Sequence, residues 1–368
     1  MAVMIPGHDG VMKALLLALV APSAIAVPPA PPAPPNTERA LLAWVPGEVR
    51  CAGTVVRPRS LERPLATLSW ASQVAGNAVT YTFAIDPSGR TMAIRRVPKD
   101  ARANGSEDIA PSLAASRFAA GQPRSDCAIS YAPEQMSLNG APVADLIAYS
   151  VNAISGPLPR PGWERINGDS NCRDERALGI ETRAFPDFKA IAATPGVREW
   201  SMVGYDIEEN GATTNIATVA GSRNAALDAA SRDAVARTRY YKGGRQGCRF
   251  PYWLSPAPLP APALPDEQQF RPAGATCPAR HDWAVQPALR FPEPYRRRAI
   301  EGWAVVTYDV APWGEVSNIQ VVASEPSEDF GAQAAIVVRG GKAATNRGYV
   351  GCTERVKFMM GSDQREDP

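Results

Sequence analysis

Histidine is almost missing from this 368-residue chain: there are two, His8 and His281, and His8 falls in what reads as a leader. A zinc site of the H-E-x-x-H kind is therefore excluded, and a histidine-based triad has a single candidate to build on. The sequence also lacks G-x-S-x-G, a Walker loop and G-x-G-x-x-G; GGRQG at 243–247 is only a glycine-rich loop entering a strand. His281 beside Asp282 reads as an exposed loop pair. Glu208 with Glu209, and Asp363 with Glu366, fall in turns and in the tail, where solvated charge is expected. No catalytic residue, metal site or cofactor is expected, and the chain reads as a non-enzyme. An excess of one charge is lacking too. At a net +2 there is no concentrated basic face to hold nucleic acid, and the runs at 239–249 and 294–298 read as solvated surface.

Long apolar runs are absent except near the start. There Lys13 precedes ALLLALVAPSAIA, which ends in the small-residue pattern Ala24-Ile25-Ala26. As a helix, residues 14–26 would reach about 20 Å, short of a hydrocarbon core of ~30 Å. Residues 1–26 are expected to be a cleaved signal peptide, with Met12 an alternative start. The Pro-rich stretch that follows, 27–39, reads as a spacer of polyproline type. Elsewhere the composition, 45% hydrophobic and 21% charged, is that of a globular protein long enough for two or three domains.

What the sequence does have is a hairpin written three times. Alternating apolar residues flank a turn glycine at 78–98, 199–220 and 301–325, the glycines being Gly89, Gly211 and Gly314. Phe83, Tyr205 and Tyr308 stand six residues before them, and Ile94, Ile216 and Ile319 five after. Matching residues at matching offsets make an internal repeat. Each hairpin is followed by a helical stretch and a last strand that begins near a cysteine. The expected fold is α+β: three tandem two-layer modules, each a small antiparallel three-stranded sheet covered by helices, in the order helix, strand, strand, helix, strand. Module 1 spans 40–138, a helix and linker 139–164, module 2 165–254, a Pro-rich linker 255–271, module 3 272–361 and a tail 362–368. Trp200 and Trp303, at the start of equivalent strands, are expected to pack on or cap their sheets.

The six cysteines follow the same repeat. Cys51, Cys172 and Cys277 precede their module's glycine by 38, 39 and 37 residues, and Cys127, Cys248 and Cys352 follow it by 38, 37 and 38. Positions that carry cysteine in every copy are best explained if they meet within that copy. The expected bridges are Cys51–Cys127, Cys172–Cys248 and Cys277–Cys352, and a secretory leader would supply the oxidising compartment they need.

Module 3 resembles the C-terminal domain of TonB, the energy-coupling protein of the Gram-negative periplasm. The resemblance rests on Phe291-Pro292, Ala299, Gly302, the 303–310 strand, the turn APWG, the strand to Ser324, the 328–339 helix and the 353–360 strand. Module 2 keeps Phe185-Pro186 and EENG; module 1, the most degenerate, keeps DPSG and SRF. The resemblance implies a non-catalytic periplasmic protein that binds extended segments of cell-envelope partners by strand addition, in connection with TonB-dependent outer-membrane transport. Its counterpart of the docking element is the last strand, with Arg355, Val356, Lys357 and Phe358; an ordinary edge guarded by its Arg and Lys is the other reading. An alternative function is a membrane-anchored transducer whose leader is not cleaved. Protein or peptide partners are expected, outer-membrane receptors among them.

Overall fold

Apolar residues at every second position on either side of a turn glycine set the three hairpins. In a computed structural model, which describes residues 38–73, 76–98, 103–172, 179–279 and 281–361, they are β5 (Val79–Ile85) with β6 (Thr91–Val97), β9 (Trp200–Ile207) with β10 (Thr213–Gly221), and β14 (Gly302–Val310) with β15 (Val316–Glu325). The leader and the first Pro-rich tract lie outside the described residues. Each turn closes with the same bond, from the glycine N–H to the carbonyl three residues back: Gly89 to Asp86, Gly211 to Glu208, Gly314 to Ala311. All three glycines have positive φ, of 86°, 81° and 91°. Each also passes under the chain leaving the following helix, so an added Cβ would lie 2.4 Å from Phe118 O, 1.8 Å from Tyr240 O or 2.2 Å from Ala343 O. Only glycine meets both conditions.

Helices α1 (Ile109–Ala115), α4 (Ala225–Arg237) and α6 (Glu328–Arg339) follow the hairpins and cover one face of each sheet. Asn224 and Ser327 cap the latter two, accepting from Leu227 N and Asp329 N. The last strands, β7 (Arg124–Ser137), β12 (Arg245–Trp253) and β17 (Tyr349–Phe358), pair antiparallel with the first strand of their hairpins. Modules 2 and 3 thus hold three-stranded sheets, in the orders β10-β9-β12 and β15-β14-β17. Each of these modules adds a two-stranded pair: β8 (Ile180–Thr182) with β11 (Arg239–Tyr240), and β13 (Trp283–Val285) with β16 (Lys342–Ala343). The structure holds disulfides Cys51–Cys127, Cys172–Cys248 and Cys277–Cys352.

Module 1 departs from the expected three strands and from a leading helix. Its sheet has seven strands, because β1 (Arg39–Pro46), β2 (Arg50–Cys51), β3 (Thr54–Val55) and β4 (Thr67–Trp70) are added beside β7. The reason is apolar: Leu41, Leu42 and Trp44 of β1 are buried, and Trp44 Nε1 donates to Gly105 O at 2.8 Å. Gly53, with a φ of 80°, turns the chain between β2 and β3, but none of these strands has a repeat partner in the sequence to announce it.

The segments between modules are packed rather than free. Helix α2 (Val143–Val151) buries Leu146 and Ile147 against Leu41 and Leu68 of module 1 and Trp200 and Met202 of module 2, with α3 (Arg160–Asn167) beside it. The Pro-rich stretch before module 3 lies on the second face of β14, where Trp303 Nε1 donates to Pro262 O at 3.1 Å. Helix α5 (Glu293–Arg297) then leads to Arg298, which is buried and ties three regions together. Its guanidinium bonds Asp108 of module 1 at 2.8 and 2.5 Å, Arg63 O at 3.0 Å and Gly196 O at 3.4 Å. Nearby, the outer edge of β6 is capped by module 3: Ala93 N donates to Glu325 Oε2, Ile94 N to Pro326 O and Arg96 N to Glu328 Oε1.

Candidate functional site

The last strand of module 3 is the element the sequence singles out. β17 pairs with β14 in an unbroken register from Tyr308 opposite Cys352 to Gly302 opposite Phe358. Its four named residues divide between two faces, as alternation requires. Val356 is 8% exposed and Phe358 0%. Phe358 packs edge-on against Phe291 at 5.8 Å and against Phe330 of α6 at 5.4 Å, so both residues build the core that fixes the strand. Lys357 is exposed on the opposite face, and Arg355 is half-buried there with Nη1 donating to Pro265 O at 3.3 Å. The start of the strand is fastened by Thr276, whose N–H donates to Val350 O while its Oγ1 accepts from Val350 N, each at 2.9 Å. Beyond that point no described strand pairs with the outer side of β17. At the near end of the sheet the tip of the β14–β15 turn presents Trp313, 63% exposed.

His281 is not the exposed loop residue expected from sequence. It is half-buried against the Cys277–Cys352 bridge, with its ring 4.7 Å from that of Trp283 and its Nε2 3.3 Å from Tyr308 Oη. Burial holds the imidazole below its ordinary pKa, and Asp282 opposes that shift. The ligand atoms of Cys277, His281 and Cys352 lie within 4.8 Å of one another. The two sulfurs are bonded to each other, so neither can act as a thiolate ligand, and the imidazole alone does not make a metal site. The cluster is not legible in sequence because Cys352 and Tyr308 reach His281 only in the fold.

Between β6, β15 and α6 runs a half-open groove of about 770 Å³, lined by Val321, Val322 and Ile336 and by charges of both signs, among them Arg95, Arg96, Glu107 and Glu328. Its Ser327 Oγ donates to Asp329 Oδ2 at 3.2 Å, but that serine is the N-cap of α6 and is fully buried. Among the described residues no helix is long and apolar enough to cross a membrane.

Two comparisons bear on these features. Residues 287–357, from just before α5 to the penultimate residue of β17, match the family described as Gram-negative bacterial TonB protein C-terminal. Protein TonB of Klebsiella pneumoniae is 27% identical over 121 residues, covering 29% of this chain and 50% of that protein. The match therefore spans about half the length of this curated relative.

Proposed function

We propose that this chain is a non-catalytic periplasmic protein that binds extended segments of cell-envelope partners, serving TonB-dependent outer-membrane transport; the match of residues 287–357 to the TonB C-terminal family supports the reading. The observation that carries the reading is β17, whose core face is locked by Val356 and Phe358 and whose outer side has no strand beside it among the described residues. In strand addition the main chain supplies affinity and alternate side chains supply selectivity. On this reading modules 1 and 2 are diverged copies of the same unit, and Arg355 and Lys357 are the side chains that flank the incoming strand.

Titration calorimetry with synthetic periplasmic segments of outer-membrane receptors tests it. Lys357→Pro removes a donor from an exposed position of the strand and should lower affinity at least about tenfold, while Lys357→Ala changes it little. Val356→Pro is the poorer probe because Val356 belongs to the core. A folded Lys357→Pro chain, judged by its melting curve, that binds such segments as wild type does would sink the proposal.

The similarity to a protein named TonB favours a second reading, an anchored transducer with an uncleaved leader. N-terminal sequencing of the protein recovered from cells separates the two. Val27 at the start of a soluble species supports the first; an intact leader in the inner membrane supports the second.

A further inference from the structure

Resting on that strand-addition reading, we infer that the chain docks one extended segment rather than three, because two of its three equivalent edges are already closed by different means. In an antiparallel ladder the N–H and C=O of a residue leave on the same side and successive residues alternate. In β7, Asp126 O accepts from Ala52 N at 3.0 Å and Ser130 O from Gly47 N at 2.8 Å. Ala128, Ser130 and Ala132 therefore face β1 and β2, away from β5. The three last strands align through Cys127 opposite Phe83, Cys248 opposite Tyr205 and Cys352 opposite Tyr308. The outward-facing counterparts are then Arg249, Pro251 and Trp253 in β12, and Thr353, Arg355 and Lys357 in β17.

The three edges have three fates. That of module 1 is filled by its own chain: β1 pairs with Tyr131–Ser137 and β2 with Cys127 and Ala128. That of module 2 carries Pro251 at its middle outward position, where a ladder needs an N–H and proline has none. That of module 3 keeps an N–H at every outward position. The remaining edges are poorer templates. β10 and β15 each shift register twice, with Asn215 and Asn318 in left-handed conformations, and bulged edges resist pairing. The edge of β6 is capped by Glu325, Pro326 and Glu328.

The resident strand of module 1 also shows how a partner lies. β1 runs antiparallel to β7 with Pro46 opposite Tyr131 and Val45 opposite Ala132. Transferred to module 3, the incoming segment runs antiparallel to β17, and the counterpart of Val45 sits opposite Lys357. Since Lys357 is exposed, a carboxylate is the favoured cross-strand neighbour. The occupant is thus an extended segment with an acidic residue at that position.

Amide hydrogen exchange of the full chain, with and without a synthetic peptide of residues 39–50 carrying Val45→Glu, decides the matter. In the free chain Ser130 and Ala132 should exchange at least about 100-fold more slowly than Thr353 and Lys357. One equivalent of peptide should slow Thr353 and Lys357 and leave Arg249 and Trp253 unchanged. Equal exchange at Ala132 and Lys357 in the free chain overturns the inference, as does peptide protection of β12, a second equivalent bound, or no protection of β17. Failure of receptor segments to bind would sink the parent reading yet leave the free-chain contrast standing, so the two can be told apart.

Discussion

Modules 1 and 3 carry the same last strand in opposite surroundings, and the difference lies in what holds the bend before the second cysteine. In module 3, Gly351 takes a φ of 70° there, and its N–H donates to Asp309 Oδ1 at 2.9 Å while Asp309 Oδ2 accepts from Asn318 Nδ2 at 2.8 Å. Module 2 repeats this with Gly247, Asp206 and Asn215, at 2.7 Å in both bonds. In module 1 the equivalent positions are Ala84, Ala93 and Asp126. The carboxylate is lost, a residue with a side chain adopts φ 52°, and Asp126 O is instead bonded by Ala52 beside β2. A local side-chain clasp and an added strand are two solutions to one backbone problem. The clasp adds no strand, so in module 3 the edge stays open.

The largest expected effect comes from separating the two modules. Arg298→Ala would leave Asp108, which is 1% exposed, as a buried carboxylate with its cation removed. Removing one partner of such a pair costs roughly 4 kcal/mol. Urea unfolding should show that loss; one below about 1 kcal/mol would mean that the seam is held by its strand contacts alone. Trp44→Ala comes next and acts on module 1 only, at about 3 kcal/mol, because it deletes a buried indole and its bond to Gly105 O. Exchange at Ala132 should rise in this variant while β17 is unaltered. Equal acceleration in both strands would show that β1 is not what protects module 1.

How much of this could be read beforehand follows from where the signals sit. The hairpins were legible because alternation and a turn glycine are local, and the cysteine spacing carried across all three copies. The four added strands of module 1 were not. β2 and β3 have two residues each, and β1 reads RALLAWVP, whose apolar run fits strand or helix. The side chains named on β17 were placed in sequence without their faces, and the structure puts Val356 and Phe358 in the core. His281 reads as exposed in sequence because two of the groups that pack on it, Tyr308 and Cys352, lie far along the chain.

A smaller effect tests the clasp directly. Asp309→Ala removes two hydrogen bonds at the bend and should cost about 1 kcal/mol, with faster exchange at Gly351. Ala84→Asp in module 1 should bring no matching gain, since its bend is already fixed by Ala52. A gain equal to the loss in module 3 would show that β2 does not replace the carboxylate.

The smallest effect concerns the one edge of module 1 that module 3 seals. Burial raises the Glu325 carboxyl above its ordinary value, against the pull of the Ala93 N–H and of Arg95 and Arg90. A carboxyl raised on folding binds protons more tightly in the native chain. Its contribution to stability is therefore full below the ordinary carboxylate pKa and is lost as pH rises through the folded value. Glu325→Gln keeps an acceptor for Ala93 and removes the titration. Urea midpoints between pH 4.5 and 7 should fall for the wild type relative to the variant, the two drawing apart as pH rises. Parallel curves would show that the seam tolerates the charge and that the β6 edge is closed by the bonds at Ile94 and Arg96.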